Sequence, residues 1–343
     1  MRLHYLFLSI IILIFSAGES SFSEESDAST EVHLYKESDR TSFRFVWTKK
    51  RATPEEQWGM AIKFQKKKEL KKTKKQLEYL VFRWPHSKEA PLAQRVVADI
   101  LYANGDLEEA FDAYQYLIDN YSSQMKEYNS VLNNQFDIAL KIMKKKRMRW
   151  LFGGYTTPVR AVKLFEQIIR NGAQWKKAPE AQFLVGKAHE KDKEYELAIV
   201  AYSILGFRYP ASSFAEEGAW RKIKSLQKLH EINENSPEIL DRYLVATTYY
   251  LLTYNKGKYN NDVRMLRNEL YEIKAKSVFD KANFYAKKAD PRHPKAAVLY
   301  YKKMMEEYPK STLVPIAKER IIELEAKIEK REEKNQKKGD KNG

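Results

Sequence analysis

The 343-residue chain contains no cysteine. That removes disulfides, thiolate metal sites, a cysteine nucleophile and a lipid-bearing cysteine at a processed amino terminus. Glycine and proline are scarce, at 12 and 11 residues. Glycine-rich phosphate loops and densely turned β-folds therefore have little to be built from. Long apolar runs are missing as well, with one exception. Leu6 to Phe15 reads "LFLSIIILIF", preceded by Arg2 and followed by "SAGES". Ten helical residues span about 15 Å, half of a bilayer core. The run is too short for a membrane span and has the layout of a secretory signal peptide, residues 1–18, cleaved after Gly18.

What is present favours helix. Lys, Glu, Ala, Leu and Tyr dominate, and 43% of residues are hydrophobic, enough for a sizeable core. Lysine and arginine number 62 against 46 acidic residues, a net charge of +16. Such a balance is usual for nucleic-acid binding. In an exported chain it points instead to anionic lipid headgroups, lipopolysaccharide or acidic protein faces, and no nucleic-acid partner is expected. Export without disulfides fits a bacterial periplasm.

Residues 19–52 read as a disordered leader rich in Ser, Glu and Asp, ending in a short extended segment, "FRFVW". The sequence "ATPEEQW" then opens a helix. Thr53 can cap, Pro54 suits the first helical position, and Glu55 and Glu56 suit the positive end of the dipole.

From residue 53 to 330 one pattern recurs. A small residue is followed four residues later by an aromatic or Leu, and seven residues after that by a terminator. Ala110, Tyr114 and Tyr121 show it, as do Ala198, Tyr202 and Tyr209, and Ala297, Tyr301 and Tyr308. Weaker copies are Ala161, Phe165, Gly172 and Thr73, Leu77, Trp84. Steps of four and seven keep all three residues on one helix face. The small residue admits a crossing helix, the large one fills the space beside it, and joints such as "YPASS" stop one helix and start the next. First helices carry their own small crossing residues, Ala61, Ala98 and Gly186. Asn104-Gly105-Asp106 and Lys191 to Glu194 supply the turns between paired helices.

The fold class is therefore all-α, a superhelical solenoid of about five irregular helix hairpins. Residues 53–232 hold the amino-terminal hairpins, 233–330 hold long helices and the last hairpin, and 331–343 form a disordered basic tail. Repeat positions Leu77 and Tyr114 lie 37 residues apart, as do Phe165 and Tyr202, while Tyr202 and Tyr301 lie 99 apart. The longer intervals imply an extension near 125–157 and an insert near 233–285, whose two helices are joined by "NKGKYNND".

This hairpin pattern resembles the tetratricopeptide repeat. The stretches "TPEEQWGMAIKFQKKKELKKTKKQLEYLVFRWPHSKEAPLAQ" and "ELYEIKAKSVFDKANFYAKKADPRHPKAAVLYYKKMMEEYPKSTLVPIAKERIIELE" further resemble the opening and closing hairpins of the BamD family of outer-membrane protein assembly factors. The second carries the Ala296-Ala297 pair before its Tyr-Pro joint. The resemblance implies a periplasmic scaffold at the inner face of the outer membrane. Its implied partners are a BamA-like barrel assembly protein and unfolded outer-membrane proteins. Members of that family are lipoproteins, and this chain has no cysteine to acylate. An exported tetratricopeptide adaptor for cell-wall or polysaccharide machinery is the alternative reading.

No catalytic constellation, cofactor motif or metal-ligand spacing stands out. His189 reads as a packed core residue, "EKDKEYE" as a solvated turn, and "FGGYTTP" as a turn lacking the Lys-Ser/Thr of a phosphate loop. A solenoid offers the inner face of its first helices to partners. On that face the candidates are Glu55, Trp58, Ile62 and Gln65, then Leu92, Arg95, Asp99 and Tyr102, with Trp58 and Tyr102 equally suited to core packing. Two basic runs complete the set: Lys66, Lys67, Lys68, Lys71 and Lys72, and Lys144, Lys145, Lys146 and Arg147. Each run fits a solvated helix face or a patch facing anionic lipid.

Overall fold

The computed structural model describes residues 48–148, 154–156, 158–234, 236–287 and 293–339. The residues read as a signal peptide, and nearly all of those read as a leader, including "FRFVW", lie outside the described residues. The chain divides into two compact units, one ending at Ile138 and one beginning at Ala139.

In the first unit, α1 (Pro54–Lys66) starts as the sequence dictates. The Thr53 hydroxyl accepts from the Glu56 N–H at 3.2 Å, and the Glu56 carboxylate accepts from the Ala52 N–H at 3.2 Å. The first bond is the usual side-chain cap, and the second reaches one residue further back than in a capping box, to the N–H before the cap. Helix α2 (Leu70–Arg83) packs on α1, and α3 (Ala90–Asn104) packs on both α2 and α4 (Leu107–Tyr121). Gly105 closes α3 at φ 83°, in the left-handed region where glycine carries no Cβ penalty. A single 3₁₀ turn (Ser122–Gln124) leads to α5 (Tyr128–Lys144), within which the unit boundary falls.

In the second unit the end of α5 leads to an antiparallel ribbon of β1 (Lys146–Met148) and β2 (Gly154–Thr156), pairing Lys146 with Thr156 and Met148 with Gly154. The sequence reading placed only a turn at "FGGYTTP". Two adjacent glycines disfavour helix there, and Tyr-Thr favours an extended strand once it has a partner. Helices α6 (Val162–Asn171), α7 (Ala178–Lys191) and α8 (Tyr195–Arg208) follow. Next come α9 (Ala215–Ile232), α10 (Pro237–Thr253), α11 (Asn260–Ala286), α12 (His293–Glu307) and α13 (Val314–Gly339). Each packs on its sequence neighbour. The 99-residue interval thus holds a further helix pair, α9 and α10, ahead of the long α11.

Helix α13 runs to Gly339, eight residues past the expected start of a disordered tail. Its Glu, Lys and Arg residues are strong helix formers, and Lys295 on α12 reaches Glu332 at 2.9 Å. The sequence reads here as a fraying helix running into a tail, and high charge does not say where a solvated helix gives way to coil.

All five small–large pairs are buried. Ala110, Ala161, Ala198 and Ala297 are 0% exposed, as is Thr73, and their large partners Leu77, Tyr114, Phe165, Tyr202 and Tyr301 are at most 1% exposed. A Cβ on Gly186 would sit 2.4 Å from the Tyr202 ring, so α7 and α8 meet there with no room for a side chain.

Candidate partner-docking site

The hairpins share a set of side-chain ties. A buried glutamine four residues before each first-helix small residue reaches across to the second helix. Gln57 Nε2 donates to Gln76 Oε1, Gln94 Nε2 to the Ala113 carbonyl, and Gln182 Nε2 to the Ala201 carbonyl, at 2.6, 2.8 and 3.0 Å. At the joints, the Tyr121 hydroxyl donates to the Pro85 carbonyl at 2.9 Å, and the Tyr209 hydroxyl donates to that of Ala173 at 3.0 Å. Buried second-helix tyrosines are also tied to a neighbouring helix. Tyr202 donates to Glu190 at 2.7 Å, Tyr250 to Glu216 at 2.7 Å and Tyr301 to Asn283 at 2.6 Å. Tyr114 donates to Asp99 and so joins the framework to the site.

That site is a cavity of about 550 Å³ in the first unit. Pro91 and Leu92 enter from α3 and Leu117 from α4, while Met125 comes from the segment after the 3₁₀ turn. Leu117 is buried, whereas Leu92 is 59% exposed. Lys88, Lys126 and Glu127 bring charge to the lining. Beside the apolar surface, Arg95 Nε donates to both Asp99 oxygens at 3.0 and 3.2 Å and Arg95 Nη2 donates to the Ser130 hydroxyl at 3.1 Å. The Arg95 guanidinium also lies 5.8 Å from the Tyr114 ring centre. Asp99 thus accepts from an arginine and a phenol at once. Burial first, then the bond to Asp99, pushes the Tyr114 phenol well above its ordinary range and keeps it a neutral donor. The arrangement is a pre-set polar clamp next to an uncovered leucine.

Three of the eight inner-face candidates, Leu92, Arg95 and Asp99, come together in this cavity. Tyr102 and Trp58 are half-buried and do not line it, nor do Ile62 and Gln65. Glu55 lies at its margin, 3.5 Å from Lys88. Its own backbone N–H, with the Thr53 hydroxyl and Lys88, holds its carboxylate below the usual range against slight desolvation. The lining from Gln124 to Glu127 was missed because an irregular segment carries no periodicity. Its one signal was an isolated Met just beyond a helix end.

Lys66, Lys67, Lys68, Lys71 and Lys72 are all exposed around the α1–α2 turn. Lys144 and Lys145 are exposed at the end of α5, and Lys146 and Arg147 fall in β1. His189 is buried, with Nδ1 2.7 Å from a Glu194 oxygen, as a core residue should be. Among the described residues no group of three or more His, Cys, Asp or Glu could hold a metal, and no helix is long and apolar enough to cross a membrane.

The tetratricopeptide repeat family model matches residues 74–124 and 160–210. These two stretches carry the tetratricopeptide repeat. They are the stretches that share the Gln–carbonyl and Tyr–carbonyl ties. The repeat marks a scaffold for protein–protein interaction. No curated protein matches the chain. Among solved structures, a tetratricopeptide repeat protein from Parabacteroides merdae is 13% identical, covering 79% of this chain and 98% of that one, with a TM-score of 0.28. The C-terminal part of a repeat protein from Cytophaga hutchinsonii is 15% identical, covering 80% and 92%, with a TM-score of 0.31. At those TM-scores the likenesses carry no weight for the arrangement of this chain.

Proposed function

We propose that this protein is a non-enzymatic periplasmic scaffold of the BamD type, peripheral to the inner face of the outer membrane. It holds a BamA-like barrel assembly protein, and the unfolded outer-membrane proteins that partner inserts. The observation that carries the docking reading is the cavity beside α3. Leu92 remains 59% exposed there, within a lining that also includes the Arg95–Asp99 pair. An uncovered apolar residue beside fixed charges suits a protein segment that buries a side chain and exchanges hydrogen bonds at the rim. The amino-terminal signal pattern supports the location, and the opening and closing hairpin motifs support the BamD-like role. Without a cysteine, attachment to the membrane rests on protein contacts and on the basic surface.

Affinity capture of the tagged protein from detergent-solubilised envelopes tests this. Recovery of a β-barrel protein with periplasmic domains, lost on Leu92→Asp, is the expected result. Recovery of cell-wall enzymes alone would overturn it in favour of the adaptor reading.

A further inference from the structure

The turn between α1 and α2 concentrates positive charge that the described fold offsets only in part. Lys66 ends α1, Lys67 caps it, and Lys68 takes a left-handed φ of 57°. Lys71 and Lys72 fall in the first turn of α2, which has no acidic residue and no side-chain cap. The positive end of a helix dipole disfavours lysines there, so the local field adds to their charge instead of offsetting it. Of the five, only Lys72 has an ion-pair partner among the described residues, Glu69. Leu70 sits among them, 39% exposed. Lys68, Leu70, Lys71 and Lys72 border one open depression of about 650 Å³ together with Asn104 and Asp106 from the α3–α4 turn. Two carboxylates, Glu69 and Asp106, do not neutralise five lysines.

We propose that this turn is a docking surface for an anionic lipid bilayer: the lysines meet headgroup phosphates while Leu70 enters the headgroup layer. The inference rests on the proposed envelope location. Charge complementarity selects the occupant, because several exposed ammonium groups around one open depression match a sheet of phosphates rather than a single anion. An exposed leucine between them gains from an apolar boundary that a soluble polyanion lacks.

The test uses the protein purified from envelopes and vesicles of phosphatidylethanolamine with or without phosphatidylglycerol. Each lysine near such a surface is worth up to roughly fivefold in partitioning. Replacing Lys66, Lys67, Lys68, Lys71 and Lys72 with Gln should lower binding to the anionic vesicles by about a hundredfold or more. Leu70→Gln should lower it roughly threefold. Raising salt from about 50 to 500 mM should release the wild-type protein, as screening contracts to a few ångströms. Both variants should keep the wild-type melting temperature. Equal binding by the five-Gln variant and the wild type, equal binding to neutral vesicles, or binding to heparin but to neither vesicle would each overturn the proposal. Vesicle binding is read without protein partners and envelope capture without a bilayer, so failure of this proposal and failure of the scaffold reading are seen separately.

Discussion

Gly186→Ala is a single methyl group placed where the fold has no room for it. The added Cβ would lie 2.4, 2.7 and 2.8 Å from three carbons of the Tyr202 ring. Atoms in contact normally stand about 3.5–4 Å apart. The ring has little freedom to retreat. It is 1% exposed, its hydroxyl is tied to Glu190 at 2.7 Å, and Glu190 is in turn held by Arg221 at 3.2 Å. Phe183 packs against it at 5.9 Å between ring centres. In a helix, Gly→Ala ordinarily stabilises by about 0.5–1 kcal/mol. Overpacking a closed core costs about 1–3 kcal/mol, and here the clash should win, for a net loss of about 1–2 kcal/mol. Urea denaturation followed by circular dichroism reads this directly. Gly59→Ala in α1 supplies the control, since its Cβ would meet nothing within 4 Å, and it should gain stability. Adding Tyr202→Leu to Gly186→Ala should relieve the clash, so the double variant should lose less than the sum of the single losses. If Gly186→Ala is as stable as wild type or more so, α7 and α8 do not cross at Gly186 and the register of that hairpin is wrong.

Other expectations follow from the same contacts. Leu92→Asp should leave urea stability within about 0.5 kcal/mol, because the residue is exposed, while removing partner capture. Tyr114→Phe should cost about 1 kcal/mol in the same assay, since Asp99 and Asn134 each lose a hydrogen-bond partner. Thr53→Ala should cost about 1 kcal/mol through the lost α1 cap. Burial raises the phenols of Tyr114, Tyr202, Tyr243 and Tyr250 above their ordinary value of 10.0. The folded state then keeps protons that the unfolded chain has released. Their stabilising contribution is intact below about pH 10 and is lost as pH rises above it. Tyrosinate absorbance should therefore include a cooperative step that coincides with loss of helix; smooth titration near pH 10 with the helix intact would contradict the burial.

Much of the fold was legible because its determinants are local. The Thr53-Pro54 start and the Tyr-Pro joints are stereochemical signals, and the small–large pairs sit at helical spacing. The joint at "YPASS" separates α8 from α9 where the sequence placed it. The Gln57, Gln94 and Gln182 ties were equally regular, four residues before Ala61, Ala98 and Gly186, but a glutamine in a helix attracts no notice until its burial is seen. The ribbon at 146–156 was not legible, since strand pairing depends on a partner six or more residues away. The site was half legible. Leu92, Arg95 and Asp99 share a helix face and were found by periodicity, yet the same face carries Tyr102, and periodicity alone does not say where a cavity stops. The Met125 side comes from an irregular segment, and its role is set by tertiary placement alone.

Photo-crosslinking from position 92 in living cells tests the central claim most directly. A benzoylphenylalanine replacing Leu92 should give a crosslink to an outer-membrane β-barrel protein with periplasmic domains, and the same probe at exposed Phe207 in α8 should not. No crosslink from position 92, or crosslinks there to cell-wall enzymes alone, would contradict the account.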